Sequence, residues 1–519
     1  MSRSKFKMDA IVAVAAWAVT SACYSLPLAR GLLHGLCPRD VGEARELQAR
    51  LSPGAKVYFP GSQGFNDSSR RWSSLDPPTV NVVVVPATEQ DVAATVKYAN
   101  KKGLPFLAYN GAHGAITTLG GMKSGVEIYL DQLDSVQVAA DGKTAKIGGG
   151  TLSKDVTDKL QRLYDAITAN MAFRASVTGT CECVSYMGPA LGGGHGWLQG
   201  HHGLVADQLV SVNMVFASGQ LQTITPSCDL WWALNGAGHN FGIVTSVTAK
   251  VYDIQKADWA IETIIFSGDK VSAVYDAANK HLLQNGTQPV GVINWSYWLR
   301  DPSTDANNPI IIFYIIQEGV KAVDAQFTKP FHDLGPIAVT PLSGTYRDLA
   351  GWTGISLSSP PCQKAGFANP RFPIYLQSYN VAAQQQAYAI FADATKGPSA
   401  FNGSLFMFEG YSVQGVQAVA GASTAFAFRD AHLLAAPLIT YRPDGPALDQ
   451  RAKDLGNKLR EVLRQASGMS DVRAYVNYAY GNEGPKGWYG SAQWRQDRLS
   501  ALKKRYDPSR RFSFFGPIA

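Results

Sequence analysis

Between Thr178 and Gly203 the chain reads T-G-T-C-E-C-V-S-Y-M-G-P-A-L-G-G-G-H-G-W-L-Q-G-H-H-G, with seven glycines from Gly188 to Gly203. Glycine at this density costs folding entropy. It persists where the backbone must turn through positive φ or lie flat against something large. The stretch reads as a cradle for a bulky cofactor.

Two further stretches narrow the choice: Tyr109-Asn110-Gly111-Ala112-His113-Gly114, and Asn235-Gly236-Ala237-Gly238-His239-Asn240-Phe241-Gly242-Ile243-Val244-Thr245. In order and spacing the three resemble the flavin domain of the vanillyl-alcohol-oxidase and p-cresol-methylhydroxylase superfamily. Within it they resemble the berberine-bridge-enzyme-like branch, in a form typical of fungal secondary metabolism. That branch carries a histidine closing an R-S-G-G-H-like turn, a C-x-x-V-x-x-x-G-x-x-L-G-G-G-x-G segment and a G-x-G-x-N-F-G-[IV]-V-T segment. Here His113, Cys181 to Gly196 and Gly236 to Thr245 match. Tyr475-Val476-Asn477-Tyr478 and Lys504-Arg505-Tyr506-Asp507-Pro508 match its C-terminal Y-x-N-Y and K-x-Y-D-P. The chain departs from the pattern where Tyr109 and Asn110 replace Arg and Ser and Ala112 replaces Gly.

The resemblance implies an α+β fold. A two-subdomain FAD-binding domain of the p-cresol-methylhydroxylase type would span 37–253, and a substrate domain with an antiparallel sheet covered by helices 254–470. A segment returning to the FAD domain would span 471–519. It further implies FAD bound covalently through His113, with Cys181 as a second attachment point at flavin C6. Cofactor contacts are implied for Tyr109, Asn110, Gly111, Ala112, His113, Gly114, Thr178, Gly179, Cys181, Val184, Gly188, Gly192, Gly193, Gly194, Gly196, Asp207, Gly242, Ile243 and Val244. Tyr478, Tyr475 and Asn477 become the substrate-side candidates, a tyrosine of that motif deprotonating a substrate hydroxyl while hydride passes to flavin.

The residues alone support the same architecture. Val80 to Val85 is an apolar β-branched run bounded by prolines, and Thr88 with Asp91 opens a helix as a capping box. Phe106 to Ala108 then begins a strand that delivers the chain into the 110–114 turn. Adjacent backbone amides in such a turn form an anion nest suited to a diphosphate. Strand pairs follow at 136–139 with 143–147, and at 210–216 with 221–225. Beyond Asp253, strands rich in Trp, Tyr and Ile (259–266, 290–299, 310–316) alternate with helical segments at 271–283 and 322–331. Pro360-Pro361-Cys362 and the Gln384 to Gln386 tract read as breaks in this domain. Gln161 to Ser176 is longer than the family's usual connection and is a candidate lid.

Composition excludes other classes. At 519 residues with 46% hydrophobic residues the chain can build sizeable cores. A net charge of +7 without a basic block argues against nucleic-acid or stable membrane binding. Residues 1–22 read as a secretory signal: a basic start, an apolar run from Ala10 to Val19 and a small-residue cleavage site. Sequons at Asn66, Asn285, Asn294 and Asn402 fit passage through the secretory path. Cys37, Cys183, Cys228 and Cys362 allow up to two disulfides whose pairing spacing cannot decide, and Cys183 competes with Cys181 for the flavin.

Several residues carry alternative readings. His113 can also be a hydrogen-bonded turn histidine, and Tyr475 and Tyr478 can pack at a domain interface. A tyrosine base near neutral pH needs surroundings that favour phenolate, for which Asn477 is the adjacent candidate. Glu409 is a weaker carboxylate candidate. His195, His201 and His202 lack a recognised zinc spacing, so no metal is expected. Gly236-x-Gly238 resembles a dinucleotide fingerprint, but its third glycine comes late, which disfavours NAD(P). The expectation is a monomeric, secreted FAD-dependent oxidase of a small organic molecule, reoxidised by O2. Alternatives are a cyclase of a polyketide or alkaloid intermediate, a carbohydrate oxidase, or a binding protein without turnover.

Overall fold

The computed structural model describes residues 46–165, 173–254 and 256–518. The leader and residues 166–172, which make up the middle of the candidate lid, lie outside the described residues. Among the described residues, no helix is long and apolar enough to cross a membrane.

The first sheet has the order β1-β2-β4-β3, with β1 at Lys56–Tyr58, β2 at Val80–Val85, β3 at Phe106–Tyr109 and β4 at Gly125–Tyr129. β4 runs parallel to β2 and β3. A helix at Glu89–Lys101 connects β2 to β3 and starts at the Thr88/Asp91 capping box expected from sequence. Its Val92, Val96 and Ala99 are fully buried. β3 therefore ends at a fixed height and delivers Asn110 to Gly114 into the molecule's interior.

The second sheet is built from β5 (Val136–Val138), β6 (Thr144–Gly148), β8 (Leu209–Val215), β9 (Leu221–Ile224) and β10 (Ile243–Lys250), in the order β5-β6-β10-β8-β9. All its pairings are antiparallel. A small ribbon pairs β7 (Phe173–Ala175) with β11 (Tyr252–Ile254).

The third sheet has seven strands: β12 (Asp258–Phe266), β13 (Val292–Leu299), β14 (Ile310–Glu318), β15 (Ala338–Thr345), β16 (Ile374–Leu376), β17 (Leu405–Gly410) and β18 (Leu433–Leu438), in the order β15-β12-β14-β13-β17-β18-β16. Side chains alternate across a strand with period two, and the alternation divides the work. Trp298, Phe313, Phe406 and Phe408 face helices at Val271–Ala278, Ala325–His332, Val381–Ala394 and Pro446–Ala466 in one buried cluster. Trp298 meets Phe406 edge to face at 4.7 Å, an arrangement that contributes about 0.5–1.5 kcal/mol beyond area burial. Trp295, Tyr297, Tyr314, Met407 and Glu409 occupy the other face and line a cavity.

Two sequence expectations need correcting. The Gln384 to Gln386 tract is no break: it lies inside the helix Val381–Ala394, whose N-cap is Asn380. Asn294 cannot be a glycan acceptor, because it is fully buried in β13 and its amide donates to Gln288 at 2.9 Å; Asn66, Asn285 and Asn402 are exposed. In the C-terminal helix Gln493–Tyr506, Leu499 and Leu502 are buried but Trp494 is 45% exposed and stacks beneath Arg495.

Candidate active site

One cavity of about 1340 Å³ runs from the 107–114 strand and turn, past the 179–191 segment, to the inner face of the seven-stranded sheet. Sites for a single small ligand are usually about 300–1,000 Å³, so this one has room for a large group and a second molecule beside it.

The turn at one end is stitched down by its neighbours. The Asn110 amide donates to the Gly150 carbonyl, the Tyr109 hydroxyl to the Ser68 carbonyl, and Trp72 N–H to the Ala112 carbonyl. Ala112 has φ +56°, the left-handed conformation in which the family carries glycine. A Cβ on Gly111 would stand 2.7 Å from the backbone oxygen of Cys183. Gly111→Ala is therefore expected to force the two segments apart and cost about 1–3 kcal/mol, seen as a lower midpoint in denaturant.

His113 stacks on Trp72 with ring centroids 5.0 Å apart, and its Nε2 lies 3.3 Å from Cys183 Sγ. Burial, helped by the positive charges of Arg371 and Lys364, pushes its pKa down to about 3. The imidazole is thus neutral at physiological pH, with a nitrogen lone pair available.

Cys183 is disulfide-bonded to Cys362, with Cα atoms 5.7 Å apart. That pairing removes Cys183 from competition and leaves Cys181 as the free thiol on the cavity wall, 3.5 Å from Cys183 Sγ. Burial pushes the Cys181 thiol up to about 11. His113, Cys183 and Cys362 also form a group of metal-ligand type, but the disulfide leaves neither of these cysteines a thiolate to offer.

Gly179, Val184, Gly188, Gly242, Ile243 and Val244 border the cavity, as do Gly114 and Gly111. The rest of the glycine run serves the turn behind it. Gly193 and Gly194 have φ +107° and +84°, Gly192 lies against Asn477, and Gly196 packs on the Thr178 carbonyl. Thr178 itself bonds Tyr346 at 3.3 Å. Asp207 is a correction: its carboxylate is held by Arg429 at 2.7 Å and 2.9 Å and caps Leu204 N–H, so it does not reach the cavity.

The three histidines considered for metal are each engaged elsewhere. His195 bonds Gln199 and Tyr375, His201 pairs with Glu318, and His202 stacks on Tyr252.

At the end of the cavity lined by the seven-stranded sheet the Tyr478 hydroxyl donates to Glu409 Oε1 at 3.0 Å, and Tyr411 donates to Oε2 of the same carboxylate at 2.9 Å. Asn477 does not serve Tyr478. Its amide donates to the Tyr475 hydroxyl at 2.8 Å and to the Pro189 carbonyl at 3.0 Å. Burial and the adjacent Glu409 charge raise the Tyr478 pKa well above its usual 10. Glu409 is itself raised by burial, only partly offset by its two tyrosine hydrogen bonds and Arg371. A standing phenolate is therefore disfavoured, and Glu409 is the stronger proton acceptor of the pair.

Sequence reasoning missed Trp72, Arg371 and His239. Trp72 and Arg371 sit in irregular segments with no local signature. His239 lay in plain view within the third motif; its Nε2 is buried without a hydrogen-bond partner and its ring faces the cavity.

Residues 80–225 match the family model described as an FAD binding domain. Over 99% of this chain and the whole of the relative, it is 58% identical to the FAD-linked oxidoreductase chyH of Penicillium rubens. It is 52% identical to chry5 of Gibberella zeae, over 99% of this chain and the whole of that one. The chain is an FAD-linked oxidoreductase. Its fold is that of the Physcomitrella patens BBE-like 1 protein, with a TM-score of 0.74 at 21% identity over 92% of this chain and 99% of that one. It matches the glucooligosaccharide oxidase of Acremonium strictum, whose FAD is 6-S-cysteinyl and 8α-N1-histidyl, equally well: TM-score 0.74 at 18% identity, over 92% and 98%. FAD fits what the cavity offers: a volume of about 1340 Å³, the turn at 110–114 on its wall, and the partnerless Nε2 of His239.

Proposed function

We propose that this oxidoreductase is an oxidase that takes hydride from a carbon bearing a hydroxyl or amine in a small, aromatic, secondary-metabolite-type substrate. The observation that carries the reading is the Tyr478–Glu409 hydrogen bond, which opens on the same cavity as the flavin cradle. When bound, FAD supplies the two-electron acceptor and, through O2, its own reoxidation with release of hydrogen peroxide.

The protein's part is to position and to move a proton. Aromatic side chains Trp295, Tyr297 and Tyr314 wall the substrate side and keep water out. Tyr478 accepts the substrate's hydroxyl or amine proton while its own phenolic proton passes to Glu409, so neither a free phenolate nor an alkoxide has to persist. Tyr411 holds the other carboxylate oxygen and fixes its orientation. Tyr475 and Asn477 act as a brace: through Pro189 they tie the Y-x-N-Y segment to the glycine cradle.

His113 is the proposed covalent tether, since its neutral imidazole can form a bond without first losing a proton. Cys181 is the proposed second one; its raised pKa makes its thiolate scarce and its attachment the slower of the two. Acid precipitation of the purified protein tests both. Yellow colour is expected to stay in the pellet of wild type and of either single variant, and to leave it only in His113→Ala together with Cys181→Ala. A colourless wild-type pellet would remove covalent attachment from the reading.

A further inference from the structure

Among the described residues, the most deeply buried arginines answer to partners. Arg71 pairs with Glu127, Arg429 with Asp207 and Arg460 with Glu483, while Arg495 donates to the carbonyls of Thr424 and Gly421. Arg371, on the cavity wall, forms no side-chain hydrogen bond or ion pair among the described residues, and its Nε is sealed from solvent without a partner. An arginine cannot shed its charge, and sealing even one guanidinium N–H from water without an acceptor is costly.

Its surroundings restrict what can answer it. The guanidinium carbon lies 4.5 Å from the centroid of Trp72 and 4.3 Å from that of Tyr478, so two aromatic rings pack against it. What neither ring can supply is an acceptor for its paired N–H groups, which match the two oxygens of a carboxylate. Glu409, whose carboxylate feels the Arg371 charge, is already engaged by Tyr411 and Tyr478. The backbone around Arg371 is fixed in place, because Asn369 bonds Ser73 Oγ at 3.0 Å and the Trp72 carbonyl at 2.8 Å.

We infer that Arg371 is a specificity-determining residue that binds a carboxylate on an aromatic substrate. The carboxylate docks on the paired guanidinium N–H groups, the ring lies against the Trp295 and Tyr297 face, and the carbon to be oxidised is brought to Tyr478. This rests on the proposed oxidase reading, from which it inherits the location of the reacting carbon. The anion site itself is independent of turnover.

Benzoate is the probe, with benzyl alcohol as the neutral ligand of similar shape. Each is titrated into purified holoenzyme and followed by calorimetry and by perturbation of the flavin's visible absorbance. Wild type is expected to bind benzoate at least tenfold tighter than benzyl alcohol. Arg371→Gln should weaken benzoate by about tenfold to a hundredfold, leave benzyl alcohol unchanged and retain flavin; Arg371→Lys should recover part of the loss. Equal wild-type affinity for the two ligands would overturn the inference without any variant. So would an Arg371→Gln enzyme that keeps wild-type benzoate affinity, or one that loses flavin and both ligands together, which would assign the guanidinium to the cofactor. None of these readouts uses catalysis, so failure of the proton relay and failure of the anion site remain distinguishable.

Discussion

Glu409→Gln is expected to lower the rate of substrate-driven flavin bleaching by about two to four orders of magnitude, and to abolish the acid limb of kcat/KM. The amide still accepts a hydrogen bond from Tyr478, so packing survives while the proton acceptor is lost. The sign of the pH effect follows from the direction of the shift: burial raises the Glu409 pKa above the ordinary 4.5. The competent carboxylate is therefore lost as pH falls through a value higher than 4.5, and the acid limb of the wild-type profile should lie there. Tyr478→Phe should produce a loss of similar size, since it cuts the relay at its other member. The double variant should cost little more than either single one, because groups acting as a unit are not additive. Stopped-flow bleaching across pH for the three variants tests all of this. A Tyr478→Phe enzyme retaining both rate and acid limb would make Glu409 act on substrate directly and remove the tyrosine from the pathway.

What was legible in the sequence was whatever is locally encoded. The capping box at Thr88 and Asp91, the Trp-, Tyr- and Ile-rich strands 259–266 and 310–316, and the glycine turns all depend on residues a few positions apart. The motif order led to the family and to its α+β fold. The site was legible in parts for the same reason: His113, Cys181 and Tyr478 stand in recognisable segments, and the structure puts all three on one cavity. What joins them was not legible. Glu409 becomes the partner of Tyr478 only because β17 pairs with β13 and turns that residue inward. Trp72 and Arg371 are nearly 300 residues apart in the chain and meet face to plane. Asp207 was implied at the cofactor by the family resemblance, yet a distant arginine holds it. Asn477 was taken as support for Tyr478, but the tight turn at Val476–Tyr478 directs its amide to Tyr475 and Pro189.

Cys362→Ser is expected to have the largest effect on stability. The Cys183–Cys362 bond closes a loop with a sequence separation of 179. On the chain-entropy model a bridge of that span limits the unfolded state by about 5 kcal/mol. It also pins the 355–363 segment to the segment around Cys183, where Glu182 N–H donates to the Ile355 carbonyl at 3.1 Å and Leu357 N–H donates to Glu182 Oε2 at 2.8 Å. Losing the bond should lower the denaturation midpoint and loosen the wall beside His113, so that bound flavin becomes more accessible to solvent quenchers. Cys183→Ser is the poorer test. It leaves Cys181 Sγ only 3.7 Å from Cys362 Sγ, where oxidative folding can rebuild a bridge with the neighbouring thiol. Comparing denaturation of wild type with and without reductant against Cys362→Ser isolates the native bond. Coincident curves for all three would mean that the two hydrogen bonds, and not the disulfide, hold this segment in place.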